Sequence, residues 1–404
     1  MTPMARRCLL IFGLLLLAGC SPESPLLPAY HGDPNVAGSV ARVEHIGAYS
    51  AIELRILLWA AKLPDAVPIS NGTELYRISY WSHVQGKPVL LSGLMGVPDV
   101  DRLRGTVLYM HGTNVDRGNS VSNPSFQEGV LVSGIFAGGG YLHLAPDLLG
   151  LGISHGPQPY VYTPGTVEET LDFLHAAQIV CTDVGQRWNA NIYVTGFSQG
   201  GHAAAIIQRE LEQKKDPHWH VRAGAGIAGP YDVANIEFPL AMTGASDGDP
   251  LYLSNLALSY STYYHQPLGS ILKAVFATSL PLLLDGDHAA DLDKRLPSNP
   301  RELFTQQFLT AFDNKQPHWF LDAMRRNEAY AWAPLAPFRA YYGDKDRDVA
   351  PANAKFFARE ASRRGGHVQA VPVGPQDHTG TVFHAIPMIR RWFDQLSSPS
   401  NNRP

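Results

Sequence analysis

Apolar positions along the chain fall into two textures. Short apolar runs at 105–110, 141–145, 191–197 and 223–228 alternate with longer segments of helical composition at 125–137, 166–181 and 199–214. Runs apolar at nearly every position suit strands buried on both faces, and each intervening segment is long enough for a crossover helix. From about 236 to 334 the alternation stops, and helix-like patches at 251–264, 268–277, 301–313 and 318–330 contain no buried strand. It resumes with runs at 338–342 and 367–373 and helical segments at 351–364 and 381–396. The pattern predicts an α/β fold with a doubly wound, mostly parallel sheet. The interruption predicts a helical cap at 236–336, inserted between core segments 41–235 and 337–398. Upstream, runs at 75–82 and 88–96 joined by Val84-Gln85-Gly86-Lys87 predict a hairpin. The spacing of Ile46, Tyr49, Ile52, Leu57 and Leu58 predicts a helix over 41–63.

The first twenty residues stand apart from this pattern. Arg6 and Arg7 precede the apolar run Leu9–Ala18, which is too short to span a bilayer and ends in Leu17-Ala18-Gly19-Cys20. Those four residues resemble the lipobox of bacterial lipoproteins. The resemblance implies that 1–20 is a signal peptide and that Cys20 becomes the lipidated first residue, a membrane anchor. Ser21, where that family's inner-membrane retention aspartate would stand, implies the outer membrane of a bacterial envelope. Residues 21–40, with prolines at 22, 25, 28 and 34, read as a tether to the core.

Composition adds exclusions. The 404 residues are 45% hydrophobic and 17% charged with a net charge of −4, which argues against nucleic acid as a partner. Once Cys8 leaves with the signal and Cys20 is modified, Cys181 has no partner for a disulfide, so the domain must be held by its core. Cys181 ends an apolar helical run, where a buried, inert thiol is the expected state.

The stretch from Asn191 to Ala205 carries the chemistry. An apolar run stops at Gly196-Phe197-Ser198-Gln199-Gly200, and a small-residue helical segment follows at once. A strand, a tight turn and a helix in that order lift a serine hydroxyl above the sheet edge at a helix N-terminus. A nucleophilic serine needs a base within hydrogen-bond reach and an acid to orient that base. In a doubly wound sheet both belong on loops at the carboxyl ends of strands. Two late loops qualify: Gly343-Asp344-Lys345-Asp346-Arg347-Asp348 after one run, and Gln376-Asp377-His378-Thr379-Gly380 after the next. A competing base, His384, falls inside the last helical segment, where a core or surface role suits it better.

The elbow, His111-Gly112-Thr113 after the 105–110 run, the Gly-Asp-x-Asp ahead of Val349-x-Pro351, and Asp377-His378-x-Gly380 together resemble the α/β-hydrolases, on their lipase and esterase side. Pro146-Asp147 followed by Gly150-Leu151-Gly152 is similar to bacterial and fungal secretory lipases that carry a large cap. The resemblance covers roughly 73–231 and 338–396. It implies Ser198 as nucleophile, His378 as general base and then acid, and the second aspartate of Gly-Asp-x-Asp, Asp346, as the orienting acid. Asp344 and Asp348 are the alternatives and read as solvated or turn-forming. It also implies an oxyanion hole built from the N–H of Gln199 and a second N–H, assigned to Thr113. His111 and Asp147 are expected to brace loops, and His202 to pack or cap.

Acyl transfer to water needs no cofactor, and the sixteen histidines show no spacing that demands a metal. Between Leu251 and Leu284 the one charged residue is Lys273, with Tyr252, Tyr260, Tyr263, Tyr264 and Phe276 interspersed. These residues suit either cap packing or an apolar pocket. The expected substrate is therefore a carboxylic ester with an apolar acyl group. A peptidase or amidase on the same fold is the nearest rival. A catalytically dead binding protein is a further one, against which the presence of serine, histidine and acid all count.

Overall fold

The computed structural model describes residues 27–63, 67–214 and 218–398. The signal and lipidation readings, including Cys20, lie outside the described residues. Among the described residues, nine strands form one sheet: β1 (Val40–Tyr49), β2 (Thr73–Val84), β3 (Lys87–Pro98), β4 (Thr106–Met110), β5 (Leu142–Pro146), β6 (Asn191–Phe197), β7 (His220–Ile227), β8 (Phe338–Tyr342) and β9 (Val368–Pro372). Their order is β1-β2-β3-β5-β4-β6-β7-β8-β9. The strands β4 to β9 run parallel, and β1 to β3 form an antiparallel edge joined to β5. The order turns back at β4, between β5 and β6, and the crevice at such a switch point is where ligands bind in open α/β sheets.

Both faces of the sheet are covered. Strand β4 shows how: Leu108 and Met110 enter one core with helices α3 (Thr163–Asp183), α4 (Gln199–Lys214) and α11 (Ala352–Arg363). Val107 and Tyr109 enter the other core, with α1 (Ala51–Ala60), α2 (Gln127–Phe136) and α12 (His378–Ser397). Side chains alternate across a strand, so a run that is apolar at every position feeds two cores at once. Cys181 is buried in the first core, and desolvation pushes its thiol up to about 12, the inert state expected of it.

The predicted helix over 41–63 is a strand followed by a shorter helix. Residues 40–49 pair with β2. A register shift between His45 and Gly47 puts Ile46 and Tyr49, three apart, against the same core, and so imitates helical spacing. The helix starts only at Ala51, where Ser50 and Glu53 form a reciprocal capping box.

Between β7 and β8 lie a π-helical turn (Val233–Glu237) and helices α5 (Phe238–Ala241), α6 (Asp249–Tyr263), α7 (Ala274–Leu283), α8 (Ala289–Arg295), α9 (Gln306–Asp313) and α10 (Trp319–Arg326). Most are too short to persist alone, and a third apolar cluster centred on Phe238 gathers them. Phe304, Phe308, Phe312 and Phe320 all meet the Phe238 ring edge-on. The helix predicted at 268–277 is broken. Leu272 bridges to Phe304 and the N–H of Lys273 bonds the Leu303 carbonyl, which holds that segment extended until α7. No helix among the described residues is long and apolar enough to cross a membrane.

Candidate active site

Strand β6 ends at Phe197 and α4 begins at Gln199, so Ser198 alone makes the turn. Its φ is +56°, a left-handed conformation that is costly for a residue with a Cβ. The turn is held by the Ser198 N–H on the Ile227 carbonyl (2.8 Å). The elbow glycines are required by contact as much as by conformation. A Cβ on Gly196 would be driven into the Gly200 carbonyl, and one on Gly200 into the Met110 carbonyl.

Two strand ends away, the aspartate loop follows β8. The N–H groups of Asp348 and Val349 donate to Asp346 Oδ1 at 3.0 and 2.9 Å, which wraps the loop around that carboxylate. The other oxygen, Oδ2, lies 2.8 Å from His378 Nδ1, and His378 Nε2 lies 2.9 Å from Ser198 Oγ. Ser198, Asp346 and His378 are 7%, 6% and 8% exposed, so the chain of bonds is shielded from water. His378 is not on a loop. It is the first residue of α12, whose N-cap Asp377 accepts from the Gly380 N–H. The ring of Phe197 packs on His378 at 4.7 Å between centroids.

The structure separates the three loop aspartates. Asp346 meets the histidine, and Asp344 is exposed. Asp348, read as solvated or turn-forming, is half-buried instead: its Oδ1 accepts from Ser246 Oγ (2.8 Å) and Tyr252 Oη (3.0 Å) of the cap. His384 lies away from the serine, with Nδ1 on the Gly380 carbonyl of its own helix. One donor atom each from Asp346, Asp348 and His378 lie within 4.8 Å of one another. Both Asp346 oxygens are already engaged, however, one by the loop N–H groups and one by the imidazole.

The N–H of Gln199, first in α4, has no acceptor within its helix. Among the described residues the N–H of Thr113 likewise meets no protein acceptor. The loop carrying Thr113 is pinned by His111, whose Nε2 lies 3.0 Å from the Asp147 carbonyl and whose Nδ1 lies 2.7 Å from the Gly112 carbonyl. Asp147 is wholly buried and accepts from Ser92 Oγ, Ser122 Oγ and the Ser122 N–H. Both residues brace loops. His202, also buried, bonds the Asn327 carbonyl of the cap at 2.6 Å, and desolvation pulls it down to about 4.

A pocket of about 50 Å³ opens beside Ser198 and Gln199. Its apolar wall is Val161, Val233, Phe238, Ala241, Leu253 and Leu256, and its polar wall is Tyr160, Glu237, Tyr252 and Asp348. Burial raises the Glu237 carboxyl to about 8, although it accepts from Asn353 Nδ2 (2.6 Å). Tyr160 shares a hydrogen bond with Thr113 Oγ1. Of the cap tyrosines singled out in the sequence, Tyr252 reaches the pocket. Tyr260 and Tyr263 are structural, bonding the Val161 and Pro157 carbonyls. Tyr160 and Glu237 carried no signal in the sequence, because neither sits in a motif or at a strand end.

This architecture has known counterparts among solved structures. A Legionella pneumophila protein assigned provisionally as a hydrolase superposes with a TM-score of 0.83 at 23% identity, over 89% of this chain and 98% of its own. The rice cell wall degrading esterase LipA from Xanthomonas oryzae superposes with a TM-score of 0.79 at 20% identity, over 90% and 100%. The chain has the α/β-hydrolase fold. Candida antarctica lipase A in its closed state superposes at 0.67 and 14% identity, over 94% of this chain and 87% of that one. No protein-family model and no curated protein sequence matches the chain. Within the α/β-hydrolase fold, the Ser198 elbow stands at the sheet's switch point, and the segment between β7 and β8 forms the roof above it.

Proposed function

We propose that this protein is a serine hydrolase that cleaves carboxylic esters, with Ser198 as nucleophile, His378 as base and Asp346 as the acid that orients it. The observation carrying this reading is the unbroken bond sequence Ser198 Oγ, His378, Asp346 on a strained elbow. Ser198 Oγ attacks the ester carbonyl while His378 Nε2 takes its proton. The resulting oxyanion is received by the N–H groups of Gln199 and Thr113. Collapse expels the alcohol, which leaves with the proton from His378. Water, deprotonated by His378, then releases the acid from the acyl-serine. Asp346 keeps the Nδ1–H tautomer and offsets the charge of the imidazolium.

The apolar wall suits a hydrocarbon acyl group, and a free volume of about 50 Å³ favours a short one. A peptidase or amidase would use the same groups, so the substrate decides between them. Purified protein should hydrolyse p-nitrophenyl butyrate faster than the palmitate, and both far faster than peptide anilides. Ser198→Ala should lower ester turnover by about ten-thousand-fold or more. Unchanged turnover in that variant would sink the reading. Anchoring to a bacterial envelope through acylated Cys20 completes the proposal. It predicts incorporation of labelled palmitate that Cys20→Ser abolishes.

A further inference from the structure

We infer that Asp348 supplies a second negative charge to the His378 imidazolium, and that the cap holds it there through Ser246 and Tyr252. The inference rests on the triad reading above. Its starting point is a conflict at His378. That residue opens a helix of 20 residues, and a helix N-terminus carries partial positive charge, which opposes a cation formed on its first side chain. Catalysis nevertheless requires His378 to become one. Asp346 alone must then offset both the helix field and the burial of the ring.

Asp348 is placed to share that task. A carboxylate oxygen of Asp348, one of Asp346 and a ring nitrogen of His378 lie within 4.8 Å of one another. An opposite charge at that range favours the charged form of a titrating group. The position follows from the loop, because the Asp348 N–H is bonded to Asp346 Oδ1. The orientation follows from the cap, because Ser246 Oγ and Tyr252 Oη both donate to Asp348 Oδ1. The other charged groups around the ring do not replace it. Asp377 is committed to the Gly380 N–H, and Lys345 and Arg347 are exposed. Glu237, on the cap side, is raised to about 8 by burial and is committed to Asn353 Nδ2. Phe197 contributes only an apolar ring.

The test is the pH dependence of kcat/KM on p-nitrophenyl butyrate for the full chain and three variants. Asp348→Asn should move the acid limb down by about one pH unit and lower the plateau about ten-fold. Asp348→Glu should restore most of both. Tyr252→Phe should move the limb in the same direction by less. A residue that only seats the cap would instead raise KM or lower the melting temperature with the limb in place, and that result overturns the inference. An unmoved limb in Asp348→Asn overturns it too, whatever the plateau does. Ser198→Ala, measured alongside, separates this failure from failure of the hydrolase reading itself.

Discussion

The sheet core and the cap are both packed around aromatic and aliphatic clusters, but they are stabilised by different physics. In the core, backbone ladders fix the register of the strands, and the carboxyl ends of the parallel strands deliver their loops to the same edge. In the cap, short helices and extended crossings have no ladder to impose a register. They converge on Phe238, which meets four other phenylalanines edge-on. The proposed triad therefore sits where the backbone is most constrained, and the pocket wall it faces is shaped by packing alone. The pocket spans the boundary: Ser198 and Gln199 come from the core, while Phe238, Tyr252, Leu253 and Leu256 come from the cap.

The contrast can be broken most severely at the elbow. A Cβ at Gly200 meets the backbone carbonyls of Met110 and His111, which have nowhere to move within the sheet. Gly200→Ala should cost more than about 4 kcal/mol and leave little soluble protein; a stable, active variant would refute this account of the turn. Next is Phe238→Ala, which should cost about 3–5 kcal/mol. Because the loss falls in the cap, a melting transition that divides into an early and a late phase is the expected signature. A single transition shifted as a whole would mean that core and cap unfold as one.

The joint between the two regions is smaller and sensitive to pH. His202 of the core holds the Asn327 carbonyl, and its folded-state value of about 4 lies below the ordinary imidazole range. The unfolded chain takes up a proton below about 6.5 while the folded one does not until about 4, so stability should fall as pH drops through that window. His202→Ala should lose about 1–3 kcal/mol from the broken bond at neutral pH and flatten that acid-side slope. Melting temperatures from pH 4 to 7 measure both.

A second pH test concerns the core by itself, with the opposite sign. Glu169 is fully buried beneath the Asp147 loop, accepts from the Leu149 N–H, and is raised to about 8 by desolvation. Folded protein keeps that proton between about 4.5 and 8 while unfolded protein releases it, so this group lowers stability as pH rises through the window. Glu169→Gln should flatten the decline in melting temperature from pH 5 to 8. An unchanged slope would place the pH dependence elsewhere.

Legibility in the sequence follows the same division. Core strands were readable because burial on both faces leaves runs with almost no polar residue. The elbow was readable because its glycines are demanded by contact with Met110 and Gly200 carbonyls rather than by fashion of the fold. Strand β1 imitates a helix in the sequence because a register shift gives Ile46 and Tyr49 helical spacing. The helical pattern at 268–277 is overridden because Leu272 and Lys273 are held extended by partners about thirty residues away. Asp348 shows the limit best. Its sequence setting, among charged neighbours on a turn, points to solvent, and only the folded cap turns it toward the histidine.

By itself the chain order of residues determined the serine elbow, the strand-end loops that could meet it, and the position of the inserted segment. These are local properties, set by periodicity and by the few residues a tight turn tolerates. Tertiary structure alone decided which aspartate faces the imidazole, which cap tyrosine reaches the pocket, that Glu237 and Tyr160 line it, and that Asn327 meets His202. Those outcomes depend on contacts between segments up to 180 residues apart, such as Ser198 and His378, and no local pattern encodes them.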